Sequence, residues 1–239
     1  MKQKIAIDST RGASVHVYID TQNIQNHNAL VVFVPGLLEV ADSFLLVKTA
    51  QQFNKAGFTT ARIDSPSFYG DNHRLTATSI GAQARDLSRV VSYFRPRFDQ
   101  VVLVAHSMGA FVTLVSETVA DCAILWDPSL HPREIFASVT RDAKSGIYHD
   151  PQLQLEVSSI LVEELPRLPD IAQAAHVAAL PIGIVSAPHG AAHPVDPYVQ
   201  NLPSLLGHIM IEDADHNFSE PKHRDALVRE TIAFIKKAA

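Results

Sequence analysis

Val101-Val102-Leu103-Val104-Ala105-His106-Ser107-Met108-Gly109-Ala110 decides how this chain folds. Four consecutive apolar residues, three of them valine, read as a strand buried on both faces. Ala105 to Gly109 then set one serine among small neighbours, and an apolar run of helical length follows from Ala110 to Val119. Strand, sharp turn and helix in that order form the nucleophile-elbow pattern, with Ala105 in place of the first glycine. The turn strains its central residue, so only small side chains fit two positions to either side. Ser107 would stand at the carboxyl end of its strand and at a helix N-terminus, where free N–H groups and the helix dipole favour a developing negative charge.

On the N-terminal side, Ile5–Asp8 and Ser14–Ile19 alternate weakly around Arg11-Gly12 and read as a hairpin at a sheet edge. Ala29–Val34 is a continuous apolar run, a buried strand that ends at Pro35-Gly36-Leu37-Leu38. Asp42 or Ser43 caps a helix running to about Ala56, closed by Gly57. Phe58–Ile63 is a strand that delivers Asp64, and Ser65–Asn72 a loop. From Ser79, Ile80, Ala84, Leu87, Val91 and Phe94 recur at helical spacing until Pro96. Beyond the elbow, Cys122–Trp126 is a short buried strand ending at Asp127.

Ser129–Ala179 carries no strong strand signal, and Gln154–Leu165 has the apolar spacing of a helix. Pro181–Val185 and His208–Ile211 resume the buried-strand pattern, and a helix spans about Lys222 to Lys237. Strands alternating with helices, each strand continuously apolar, predict an α/β fold. Its mostly parallel twisted sheet has about eight strands and helices on both faces. Ligands in such sheets bind beyond the carboxyl ends of the strands. Those ends carry Pro35–Leu38, Asp64, Ser107, Asp127, Ser186–His193 and Glu212–His216.

The chain has 239 residues, 46% of them hydrophobic, which suits one domain with a large core. Twenty basic and 25 acidic residues give a net charge of −5 without a basic block, which argues against nucleic acid as a partner. The single cysteine, Cys122, excludes an internal disulfide. No apolar stretch reaches the ~18 residues of a membrane span, and the first residues lack the apolar core of a signal peptide. These features predict a cytoplasmic location.

A serine hydroxyl needs a base to act as a nucleophile near neutral pH. Of twelve histidines, His216 is the best placed, in a loop of small and polar residues after the last strand. His106 adjoins Ser107, but neighbours in a strand point to opposite faces, so it packs or hydrogen-bonds elsewhere. His189 and His193 lack the paired carboxylates or cysteines of a metal site, and neither metal nor cofactor is expected. An oxyanion would be held by the N–H of Met108 and by that of Leu37, with Leu38 as the fallback.

With these residues in place the chain resembles the α/β-hydrolase superfamily, and within it the small esterases and thioesterases with a short lid. The resemblance runs from about Ala29 to Lys237. It rests on Pro35-Gly36-Leu37, on Asp64…Gly70-Asp71-Asn72, on the Ser107 elbow and on Asp215-His216. It implies a single domain over residues 1–239, with 129–179 as a small helical lid inserted after the sixth strand. Leu155, Ile160 and Leu161 of that lid would contact the substrate.

The chain departs from the family at the acid. The usual place after Pro181–Val185 reads Ser186-Ala187-Pro188-His189-Gly190, with no carboxylate. A minority of the family carries the acid at the end of the preceding strand, where Asp127 stands, and Asp196 is the alternative. The reaction implied is hydrolysis of a small carboxylic ester or thioester through an acyl-enzyme on Ser107, with His216 as base. An acyltransferase with the same acyl-enzyme, and a non-catalytic ligand-binding protein on this fold, are the competing readings.

Overall fold

A computed structural model describes residues 2–8, 14–21, 28–64, 74–75, 79–178, 180–188, 190, 202 and 204–239. In chain order its strands are β1 (Lys2–Asp8), β2 (Ser14–Asp20), β3 (Ala29–Val34), β4 (Thr59–Asp64), β5 (Arg74–Leu75) and β6 (Gln100–His106). They continue with β7 (Cys122–Trp126), β8 (Thr140–Arg141), β9 (Tyr148–Asp150), β10 (Leu155–Val157), β11 (Ile182–Ser186) and β12 (Leu205–Met210). The helices are α1 (Phe44–Lys55), α2 (Ile80–Phe94), α3 (Met108–Val115), α4 (Pro132–Ile135), α5 (Ser159–Glu164), α6 (Ile171–Ala178) and α7 (Pro221–Ala238).

Eight strands form one sheet in the order β1-β2-β4-β3-β6-β7-β11-β12. β1, β2 and β4 pair antiparallel, and every pairing from β4 onward is parallel. Alternate residues of the central strands feed two cores. Leu30, Val32, Leu103 and Leu125 pack with α2 and α3 on one face. Val31, Phe33, Val104 and Trp126 pack with α1 and α7 on the other. Both faces are therefore covered, which is why these strands read as unbroken apolar runs.

The sheet register positions the site. His106 pairs with Trp126 across the parallel β6–β7 ladder. The next residues, Ser107 and Asp127, thus leave adjacent strands side by side at their carboxyl ends. Of the two cap candidates Asp42 and Ser43, the Ser43 hydroxyl accepts the Leu46 N–H (3.3 Å), and the Ser79 hydroxyl caps α2 in the same way at Ala82 (3.0 Å).

Three elements differ from the sequence reading. The helix after Ser107 stops at Val115 rather than Val119, because Ser116 turns extended and its hydroxyl bonds back to the Thr113 carbonyl (2.7 Å). Gln154–Leu165 is not one helix. Leu155–Val157 is a strand, and α5 starts only where the Ser158 hydroxyl caps the Ile160 N–H (3.0 Å). The last strand is an edge strand, half-buried along most of its length rather than a buried one.

The segment between β7 and β11 is mixed rather than helical, since β8, β9 and β10 join β5 in a small second sheet in the order β5-β10-β9-β8. Two charged side chains fasten this segment. The Glu164 carboxylate accepts the Ile80 and Gly81 N–H groups (2.8 Å each), so an anion sits on the N-terminus of α2. The Arg133 guanidinium bonds the carbonyls of Leu165 (2.9 Å) and Leu168. Cys122 is fully buried in β7, and burial pushes its thiol up to about 12. No described helix is long and apolar enough to cross a membrane.

Candidate active site

Ser107 has φ 52° and ψ −125°, a conformation that side-chain-bearing residues rarely adopt. Its surroundings hold it there. The Ser107 N–H donates to the Trp126 carbonyl (3.0 Å), and its own carbonyl accepts from Ala110 (3.1 Å) and Ser129 (3.0 Å). Gly109 is required for the tight turn, because a Cβ there would stand 2.6 Å from the Val34 carbonyl oxygen. Ala105 is fully buried and supplies the other small neighbour.

Asp127, with φ 38°, leaves β7 in a second sharp turn. Its N–H bonds the Val185 carbonyl (2.7 Å), so β7 and β11 both fix it. The side chain is fully buried. One carboxylate oxygen accepts the Ala187 N–H (3.1 Å), and the other meets Nδ1 of His216. Gly190 lies directly over this carboxylate, and any side chain there would collide with it.

His216 is about one-third exposed, in a loop pinned by the fully buried Phe218 and by Arg224, which donates to the Phe218 carbonyl (3.0 Å). Asp215, its neighbour in sequence, turns away to bond the Ser219 N–H (2.7 Å).

Ser107 and His216 line one cavity of about 490 Å³ together with the turn Gly36–Glu39. In that turn the Glu39 N–H closes on the Gly36 carbonyl (3.2 Å) and Leu38 takes φ 60°. Gly36 packs so closely on the elbow that a Cβ there would lie 3.0 Å from Ser107 Cβ. Leu37 faces the same cavity, and Met108 opens α3 beside Ser107 with no preceding turn to accept its N–H.

The structure thus brings together Ser107, His216, Asp127, Leu37 and Met108. It does not bring the other candidates to them. Leu155 and Leu161 are buried in the core, and Ile160 is 51% exposed. None of the three lines the Ser107 cavity. A second cleft, about 260 Å³, is bounded by Phe111, Leu130, Leu168 and Ile171, and its Leu130 follows Ser129 in sequence. Asp196, His189, His193 and the Gly70-Asp71-Asn72 motif lie outside the described residues. Among the described residues no three His, Cys, Asp or Glu side chains converge as a metal site would require.

Two neighbours of the site had no signal in the sequence. Ser129 Oγ lies 3.2 Å from Ser107 Oγ. Glu39 places its carboxylate 3.0 Å from Nδ1 of His106. Gly190 could have been noticed, since a glycine where a carboxylate is usual leaves room for one from the next strand.

The sequence pattern of the alpha/beta hydrolase family matches residues 31–235. This chain belongs to that family. The hydrolase fold is also that of several solved structures. Est1E from Butyrivibrio proteoclasticus shares it with a TM-score of 0.76 at 14% identity, over 98% of each chain. The esterase domain of a Rhodothermus marinus protein follows at 0.73 and 14%, over 98% of this hydrolase and 97% of that chain. A dienelactone hydrolase from Anabaena variabilis gives 0.67 and 14%, over 99% and 97%. No curated protein matches the sequence. Family membership supports a hydrolase, and the solved structures share its fold.

Proposed function

We propose that this protein is a serine hydrolase of small carboxylic esters or thioesters. One observation carries the reading: the fully buried Asp127 carboxylate meets Nδ1 of His216, which shares a cavity with the strained Ser107. With Nδ1 donating to Asp127, Nε2 is left free to accept a proton, the tautomer a general base requires. Ser107 Oγ attacks the acyl carbon and its proton passes to Nε2 of His216. The N–H groups of Leu37 and Met108 hold the oxyanion. Collapse breaks the bond to the alcohol or thiol, which leaves with the proton from His216. Water then repeats the sequence on the acyl-enzyme and frees the acid.

A fluorophosphonate tests this directly, because an activated serine attacks phosphorus as it attacks a carbonyl carbon. One adduct on the intact protein, absent from Ser107→Ala, is the expected mass-spectrometric result. An unlabelled protein, or a label that survives in Ser107→Ala, would sink the reading. Substrate class is narrower ground. A neighbouring structure holds ferulic acid bound to Est1E, which makes aryl esters a sensible first panel.

The segment 129–178 serves as the lid in this reading, and its Leu130 side of the cleft, not Leu161, selects the acyl group. Replacing Leu130 with alanine should change chain-length preference by about 1–3 kcal/mol per methylene. Leu161→Ala, which opens a hole in the core, should instead cost about 2–5 kcal/mol of stability and leave the preference alone. Relative rates across a homologous series, set beside denaturation curves of both variants, check the assignment.

A further inference from the structure

Beside His216 lie two groups that the proposed chemistry does not use. The Glu39 carboxylate has three partners. Gly36 N–H (2.8 Å) and His106 Nδ1 (3.0 Å) reach Oε2, and the Ser43 hydroxyl (2.8 Å) donates to Oε1. The other nitrogen of His106, Nε2, lies 3.0 Å from the backbone carbonyl oxygen of His216. The side chains of His106 and Glu39 are only 5% and 11% exposed. The rings of His106 and His216 sit 4.8 Å apart, tilted by 34°.

These contacts determine where the protons are. A carbonyl oxygen can only accept, so Nε2 of His106 carries a hydrogen. A carboxylate that accepts a backbone N–H and a hydroxyl is best matched in its ionised form, and Nδ1 of His106 then carries a hydrogen as well. His106 is then an imidazolium. A neutral ring could satisfy only one of the two acceptors.

We infer that Glu39 and His106 form a buried ion pair that ties the Gly36–Glu39 turn to the His216 loop, and that both are positioning residues for the reaction at Ser107. The inference rests on the serine-hydrolase reading. One end of the pair grips the turn that presents the Leu37 N–H, and the other grips the backbone of the base. The oxyanion donor and the base come from loops about 180 residues apart in sequence, and a catalytic constellation tolerates little misplacement between its parts.

The charges agree with the geometry. Burial opposes ionisation of Glu39, but the charge and hydrogen bond of His106, with the bonds from Gly36 and Ser43, outweigh it and hold the carboxyl below its usual range. Burial also opposes the charge on His106. There the Glu39 carboxylate, the His216 carbonyl and the Asp127 charge prevail and hold the imidazolium above the usual histidine range. The tie is therefore present through neutral pH. It is lost as pH falls through the lowered Glu39 value or rises through the raised His106 value. Among the described residues, the titratable groups facing His106 are Glu39, Asp127 and His216.

The test uses the full chain and two variants. Glu39→Leu/His106→Phe removes both charges with apolar side chains of similar volume, a replacement that buried ion pairs commonly tolerate. Its kcat on a short aryl ester should fall by about 10²-fold, and fluorophosphonate labelling should slow in parallel, with little change in KM or thermal midpoint. Glu39→Gln, which keeps the shape and removes the counter-charge, should move the alkaline fall of kcat to lower pH. In ¹⁵N spectra of the wild type at neutral pH both ring nitrogens of His106 should be protonated, their signals assigned by loss in the double variant.

A His106 ring with one bare nitrogen overturns the ion pair. So does a Glu39→Gln profile that coincides with the wild type. An active, labelled wild type whose double variant is equally fast overturns the positioning role alone. A wild type that neither turns over esters nor takes the label overturns the serine-hydrolase reading, and the positioning role with it.

Discussion

Asp127→Asn will lower kcat by about 10²–10⁴-fold while the protein stays folded, and Asp196→Asn will cost less than about tenfold. The reason is a tautomer. In the wild type one Asp127 oxygen accepts from Ala187 and the other meets Nδ1 of His216. Asparagine keeps a single acceptor, and the buried Ala187 N–H claims it. The amide nitrogen then faces His216 and donates to Nδ1, which forces the ring hydrogen onto Nε2, where it cannot take the serine proton. Because Asp127 is fully buried between β7 and β11, no water replaces the lost acceptor. Steady-state kinetics with a melting curve for each variant separates this from misfolding. A crippled Asp196→Asn beside a healthy Asp127→Asn would move the acid to the loop after β11.

Gly190→Ala should be nearly as damaging, on the order of 10²-fold in kcat, although it adds one methyl group and removes no catalytic atom. The methyl would occupy the place of the Asp127 carboxylate. Asp127 cannot retreat, because its N–H and one oxygen are bonded to the end of β11. The accommodation must come from the Asp127–His216 contact or from the loop carrying residue 190. If the loop yields instead, kcat will stay near that of the wild type and the close packing of Gly190 has no bearing on catalysis. Measuring kcat and the labelling rate together distinguishes the two outcomes.

The central strands, the elbow and the proposed base were legible because each leaves a local mark: continuous apolar runs, one serine between small residues, one late histidine in a polar loop. The proposed acid, Asp127, was legible only in part. Its place followed from the carboxylate missing after β11, a negative signal, and sequence spacing alone kept Asp196 as an alternative. Leu155 misled for a physical reason. A three-residue strand is too short to show its period, and its apolar ends fell in phase with the helix that follows. Glu39 and Ser129 were invisible because their partners, His106 and Ser107, lie 67 and 22 residues along the chain. Such contacts exist only once the sheet has aligned its carboxyl ends.

The lone thiol has a practical consequence. Thiolate is the form that reacts, and Cys122, fully buried with its thiol pushed up to about 12, offers almost none of it near neutrality. To alkylating dyes and spin labels the folded protein is therefore blank. A single cysteine introduced at Ile160, which projects into solvent from α5, would take a reporter without any need to remove the native one. Movements of the segment proposed as the lid could then be followed by fluorescence or electron paramagnetic resonance in a chain otherwise left as it is.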